Sequence, residues 1–402
     1  RDASGLGIVL GINTLGAALA PLLFGVLILP LLGSKTTLIL LSLGYLLLTP
    51  QVVSFRSVWK ISIPAGAGLA LLLMPAQLRF VTPPPGGELI EHKEGVMAAV
   101  SLVSDTRQAL HLKVNDRFQM GGTTSAYSDR RQAHIPLLLH SDPRRALFLG
   151  LGTADTFAAA ADYPSLQADG VELVPEIIPL LPYFKQTNQA ALHNERLKLH
   201  VADARRYVSA SSERYDVIVA DLFHPARDGA GALYTQEHFQ AVSELLTDDG
   251  LFCQWLPLYQ LDLKTLRSIV RTYLAVFPQG AAYLAHFSLQ TPMIGLVSHH
   301  PDGGFSADWL ASRKRDPILA GALEGLRLDS LYALLGNYLA GSRELAEFAA
   351  GAPLNRDDHP TVIFTAPHFA YSETQPAYVR LLALLDRFQP DTKAVLPRGD
   401  SS

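Results

Sequence analysis

The chain has 402 residues, 49% of them apolar, a net charge of −4 and one cysteine, Cys253. That length suits two or more domains, the lone cysteine excludes an internal disulfide framework or a cysteine-based zinc site, and so high an apolar fraction suggests that part of the chain lives in lipid. Residues 1–80 hold Arg1, Lys35, Arg56, Lys60 and Arg79 against the single acid Asp2, so the remainder carries −8, which argues against nucleic acid as the main partner.

The chain opens on Arg1 and enters an apolar run at once. No charged region followed by a short apolar core and a cleavage site precedes it, so a signal peptide is not expected. The simpler expectation is a piece of a longer membrane protein. LGIVLGINTLGAALAPLLFGVLILPLLG (6–33), TTLILLSLGYLLLTPQVVSF (36–55) and ISIPAGAGLALLLMPAQL (61–78) are uncharged. About 20 apolar residues cross a bilayer, so three spans are expected within 1–80, the third and shortest having an interfacial alternative. Gly11, Gly16, Ala17 and Ala18 would let a second helix approach closely. The basic residues divide too evenly between the two sides to fix orientation.

VTPPPGG (81–87) reads as a stiff, solvated linker. Residues 88–140 are expected to form a small β-rich unit. Within it 92–105 and 109–120 read as strands, with Asn115-Asp116 as a hairpin turn. From Arg144 strands and helices alternate. Strands are expected at 146–150, 170–174, 197–203, 215–221, 250–256, 281–287 and 293–299. Helices are expected between the first five, including 235–246 with Thr235 as N-cap and 263–277 ended by Pro278. Such alternation implies an α/β fold with a Rossmann-like, doubly wound, mostly parallel sheet of the class I methyltransferase type, over 141–300. The tail, 301–402, is mostly helical in pattern.

Ligands bind outside the carboxyl ends of the strands in such sheets. Gly150-Leu151-Gly152-Thr153-Ala154-Asp155 follows the first strand, and its glycines allow a tight turn and close approach to a ligand. Glu172 is the acid read after the second strand, 20 residues beyond Gly152, the spacing at which an acid reaches a ribose. Asp203-Ala204 follows the third strand and Asp221 the fourth. One such feature per strand, in order, points to a nucleoside-type ligand. Asp155 stands where a dinucleotide fingerprint has its third glycine, which favours a sulfonium nucleoside over a dinucleotide. Histidine titrates near neutrality, so His224 reads equally as a general base and as a loop residue bound to backbone. His134 and His140 read as structural, Trp255 and Tyr259 as core packing with pocket lining as the alternative, and Asp357-Asp358 as a solvated turn.

ALFLGLGTADTF, VELVPEIIPLLPYF, VADARRYV, YDVIVADLFHP with GAGALYTQEHF, and GLFCQWL resemble the spermidine synthase (polyamine aminopropyltransferase) family. They resemble more closely the bacterial proteins in which that domain follows transmembrane helices. RRQAHIPLLLH (130–140) is similar to the segment before the family's first Rossmann-like strand, and LNRDDHP (354–360) to a late motif of the fused group. The resemblance implies transfer of an aminopropyl group from decarboxylated S-adenosylmethionine to an amine, with no metal. It places Gly150, Gly152 and Thr153 at the nucleoside, Glu172 on the ribose, Asp203 and Ala204 beside the adenine, and Gln119 lining the same pocket. Asp221 would hold the attacking amine and accept its proton, with His224 nearby. The departures are Thr153 where the family has an acid in the glycine turn, His224 where it has a second acid, and Ser128-Asp129-Arg130 in place of Tyr-His-Glu. A dication needs several negative partners, so putrescine as acceptor is placed in question.

Two other readings stay open. One is an enzyme of S-adenosylmethionine itself, a methyltransferase or a sulfonium-cleaving enzyme; the other is a non-catalytic nucleoside sensor. The implied setting is a multi-pass protein of the bacterial inner membrane, in contact with the lipid bilayer. Its soluble part would face the cytoplasm, where the donor is, and a homodimer is compatible with it.

Overall fold

The computed structural model describes residues 3–52, 59–74, 81–298, 307–372 and 375–389. Outside these lie Arg1, Arg56 and Arg79, residues 53–55 and 75–78 of the expected spans, the end of the expected strand at 299, and 301–306, 373–374 and 390–402 of the tail. Contacts divide the chain into two units, 1–120 and 121–402.

The first unit begins with helices α1 (Ala3–Ala20) and α2 (Leu29–Val52), continuous through a helical stretch Pro21–Ile28, then α3 (Trp59–Leu73). Gly33 breaks α2 with φ 75° and ψ 166°. Just beyond it, Ser34 N–H and hydroxyl both donate to the Glu94 carboxylate, and Lys35 Nζ donates to Met74 O at 2.6 Å. Among the described residues one segment, Gly5–Tyr45, is long and apolar enough to cross a membrane, and its most apolar window is not buried within the protein. The three expected spans are therefore not matched one for one. The helix in the third run has 15 residues, roughly 22 Å at 1.5 Å per residue, short of a hydrocarbon core of ~30 Å.

Four strands follow where two were expected. β1 (Glu88–Glu94), β2 (Ala99–Ser104), β3 (Leu110–Val114) and β4 (Phe118–Gly122) form one sheet in that order. Asn115 and Asp116, at φ 53° and 52°, make the tight turn that doubles the stretch 109–120 back on itself. β2 and β3 pair antiparallel with Val100 opposite Val114 and Leu102 opposite Leu112, and all four are fully buried.

The expected β-rich stretch also ends early. Residues 126–139 form helix α4 (Ala126–Leu139), which packs on the second sheet. Arg131, Gln132 and His134 are buried along with its apolar residues, and Pro136 lies inside it. Without a polar face to set against an apolar one, the helix leaves no 3.6-residue signature.

The second sheet has eight strands: β5 (Arg145–Leu149), β6 (Gln167–Glu172), β7 (Leu197–Val201), β8 (Tyr215–Ala220), β9 (Leu246–Pro257), β10 (Ala281–Leu284), β11 (Met293–Val297) and β12 (Tyr338–Ala340). Their order is β12-β10-β11-β9-β8-β5-β6-β7. β5 to β9 run parallel and the last three antiparallel. Ala146 to Leu149 and Val217 to Ala220 are essentially inaccessible, as strands covered on both faces must be. The crossovers contain α5 (Asp155–Ala158), α6 (Lys185–His193), α7 (Ala204–Ala210) and α8 (Gln236–Glu244). Helix α9 (Leu263–Val276) follows β9. The Thr235 and Asp262 side chains accept from backbone N–H groups at the starts of α8 and α9. This is the doubly wound, mostly parallel architecture expected from the sequence. β12 comes from the tail, which contributes five further helices between Pro317 and Arg387 as well as Ala307–Arg313.

Candidate active site

The strand order reverses between β5 and β8, so the chain leaves these two neighbours toward opposite faces and opens a crevice at their carboxyl ends. The two ends are tied. Asp221 N–H donates to Leu149 O and Gly150 N–H to Val171 O, each at 2.9 Å. Gly150 sits at φ 83° and Gly152 at φ 52°. A side chain at Gly150 would come within 3.1 Å of the Phe223 ring and 3.6 Å of Asp221 Cβ. The glycine turn and the strand-end acid, 71 residues apart in the chain, are in contact.

Glu172, 2% exposed, is turned into the glycine turn. Its Oε2 accepts from Leu151 N–H (3.1 Å) and Gly152 N–H (3.3 Å), and its Oε1 from Val174 N–H (2.9 Å). Burial raises its pKa, and the three amides and the Arg227 charge oppose that. Thr153 is buried beneath the turn and donates to Asp155 Oδ2 at 2.7 Å. Gly121, at φ 103°, lies so close that a Cβ there would be 2.8 Å from Thr153 Oγ1. Asp203 stands at the exposed rim, its Oδ1 capping α7 through Arg206 N–H (2.8 Å), and Ala204 begins that helix. Gln119 lies on β4, in the first unit.

Burial pushes the Asp221 carboxyl up to about 6. The Glu172 and Asp155 charges add to the rise, and hydrogen bonds from Leu222 N–H and Thr156 oppose it. Three further groups, Asp129, Asp155 and Tyr259, are coupled to this centre by charge. Asp129, on α4, accepts from Ser125 Oγ (2.7 Å) and Gln132 Nε2 (3.3 Å). Burial, then the Asp221 and Asp155 charges, raise it well above the usual carboxylate range. Asp155 is 1% exposed and its Oδ1 is buried without a hydrogen-bond partner. The half-buried Tyr259 phenol is raised by burial and by the charges of Asp129 and Asp221. Tyr259 is only half-buried, whereas Trp255 is fully buried and donates to Gln132 O. The signal for Asp129 and Asp155 was an acid displaced by one or two positions from where the resemblance puts one.

His224 is 5% exposed, with the Gln260 carboxamide 2.6 Å (Nε2) and 2.9 Å (Oε1) from its Nδ1. His134 is fully buried between Tyr163 OH (3.0 Å) and Asp162 (3.1 Å), a structural setting. His140, Asp216 and Asp249 offer ligand atoms within 4.8 Å of one another. However, His140 Nδ1 accepts from Asp142 N–H (3.1 Å), which leaves its proton on Nε2. Asp216 Oδ2 is taken by the Arg144 and Arg145 amides. These contacts describe a hydrogen-bonded brace.

Residues 127–298 match the family described as the spermine/spermidine synthase domain. That stretch contains the glycine turn, Glu172, Asp203 and Asp221. This segment resembles a spermine/spermidine synthase domain. The chain is 31% identical over 191 residues to the polyamine aminopropyltransferase of Methanocaldococcus jannaschii, covering 46% of this chain and 60% of that one. Against the enzyme of the same name from Caldicellulosiruptor saccharolyticus it is 27% identical over 203 residues, 50% of this chain and 68% of that one. The chain thus spans less than two thirds of the first of these relatives. A spermidine synthase solved with the transition-state analogue AdoDATO superposes with a TM-score of 0.51 at 21% identity, over 56% of this chain and 78% of the other, a likeness of fold.

Proposed function

We propose that the chain transfers an aminopropyl group from decarboxylated S-adenosylmethionine to an amine in the crevice between β5 and β8. The observation that carries this reading is the Asp221 carboxylate, held against the glycine turn at the end of a rigid strand with its pKa brought to about 6. An amine is a nucleophile only after it loses a proton, and a base is best poised near the operating pH. The amine nitrogen forms a bond to the aminopropyl carbon on sulfur. The carbon–sulfur bond breaks, methylthioadenosine leaves with the electron pair, and the proton passes to Asp221. Gly150 and Gly152 let the backbone approach the nucleoside, Glu172 takes the ribose and Asp203 with Ala204 borders the adenine.

Asp129 and Asp155 answer the doubt about a cationic acceptor. Their charges are coupled to Asp221, and grouped carboxylates favour a bound ammonium because it relieves their mutual repulsion. The same charge disfavours S-adenosylmethionine itself, whose carboxylate would meet these acids. The segment Gly5–Tyr45 supports attachment to a bilayer, with the synthase domain on the cytoplasmic side. The test is incubation of the detergent-purified chain with decarboxylated or ordinary S-adenosylmethionine, each with and without putrescine and longer amines. Methylthioadenosine formed only with the decarboxylated donor and an amine is the expected outcome. S-adenosylhomocysteine, or methylthioadenosine without an amine, would refute the reading.

A further inference from the structure

The motif LNRDDHP (354–360) plays no part in the chemistry above, yet its asparagine is fully buried and all its polar groups are bonded. Asn355 N–H donates to Thr272 Oγ1 on α9 (2.8 Å), and Asn355 O accepts from Gln236 N–H at the start of α8 (2.9 Å). Its Oδ1 accepts from Val362 N–H (3.0 Å), and its Nδ2 donates to Gly231 O (3.3 Å). Gly231 has no space for a side chain, since a Cβ would lie 3.1 Å from the Ile363 backbone. Two residues on, Asp357 is not a plain solvated turn. It pairs with Arg205, which also donates to Ala232 O (2.9 Å), and Asp357 N–H donates to Glu237 Oε2 (3.0 Å).

Gly231 and Ala232 lie in the segment 222–235 that leaves Asp221. Tyr234 of the same segment is fully buried and donates to Phe223 O at 2.5 Å. The Phe223 ring rests on Gly150, and the Arg227 charge acts on Glu172. The far end of this loop is thus fastened by the tail, and its near end touches the glycine turn and the acid. We propose that Asn355, with Asp357 beside it, is a positioning residue: it clamps the loop 222–235 so that Phe223 and Arg227 are seated over the nucleoside crevice. This rests on the reaction assigned to Asp221 above.

The clamp can be tested on the full chain in detergent. Asn355→Asp keeps the acceptor for Val362 but sets a carboxylate against Gly231 O; Asp357→Asn weakens the exposed Arg205 pair and carries the test if the buried variant fails to fold. Arg227 is the single Arg or Lys of 222–235, so trypsin reports loop opening there without reference to activity. Asn355→Asp is expected to speed that cleavage and to lower kcat about tenfold, the scale of a small misplacement of a reacting group, with the KM for the donor changed less than threefold. Asp357→Asn should move both in the same direction by a smaller factor. Unchanged cleavage in the folded variants, or faster cleavage with unchanged kcat, would overturn the clamp. A wild-type chain that makes no methylthioadenosine from any donor and amine would overturn the assigned reaction instead.

Discussion

Replacing Asp221 by Asn separates what the acid does for the reaction from what it does to the fold. In the folded chain its pKa is brought from 3.8 to about 6. A carboxyl whose folded pKa is the higher one binds its proton more tightly folded than unfolded. Stability from this group is therefore unaffected below about pH 4, falls as pH rises from 4 to 6, and stays lowered above that. At ~1.4 kcal/mol per pH unit the full shift corresponds to about 3 kcal/mol. Asp221 keeps part of its surface accessible, so solvent screening leaves about 1–2 kcal/mol. Asn retains the acceptor for Leu222 N–H, at 2.7 Å in the wild type, and carries no charge. The variant should thus unfold roughly 2–8 °C higher than wild type at pH 7.5, with the difference vanishing near pH 4. Its turnover should fall by about 10²–10⁴-fold, the contribution of a general base. Scanning fluorimetry across pH 4–8 and a methylthioadenosine assay read the two effects. A gain in stability that persists at pH 4, or a variant with wild-type turnover, would refute this account of Asp221.

The wild-type rate should itself climb with pH through a limb near 6 as Asp221 loses its proton; a profile flat from pH 5 to 8 would exclude it as the base. Asp129→Asn should raise the KM for a cationic amine about tenfold, one lost charge-assisted contact, while calorimetry shows methylthioadenosine binding within a factor of two of wild type. Glu172→Gln would turn a donor toward amides that already donate, at a cost of about 1–3 kcal/mol, and should weaken methylthioadenosine binding at least tenfold in the same calorimetry.

Some of this protein was legible in the amino-acid order. Apolar runs such as ALFL and VIVA are buried strands because only a sheet covered on both faces hides them, and Thr235 caps α8 as its position suggests. Gly150 and Gly152 mark a turn because their positive φ is readily open only to glycine. Other features were not legible. Helix α4 hides because nearly every side is buried; the turn at Asn115-Asp116 was legible, but not that it divides the stretch 109–120 into two strands. Asp129 looked like a missing acid, since only the packing of α4 against β8 and β9 returns its charge to Asp221. The sequence on its own determined which stretches are strands, though not their last residues, because side-chain alternation and turn chemistry are local. The tertiary structure alone decided that β8 lies against β5, so that Asp221 meets the glycine turn, and that Asn355, 124 residues from Gly231, holds the loop between them. Strand order and long-range hydrogen bonds depend on which surfaces bury each other, and no local pattern records that choice.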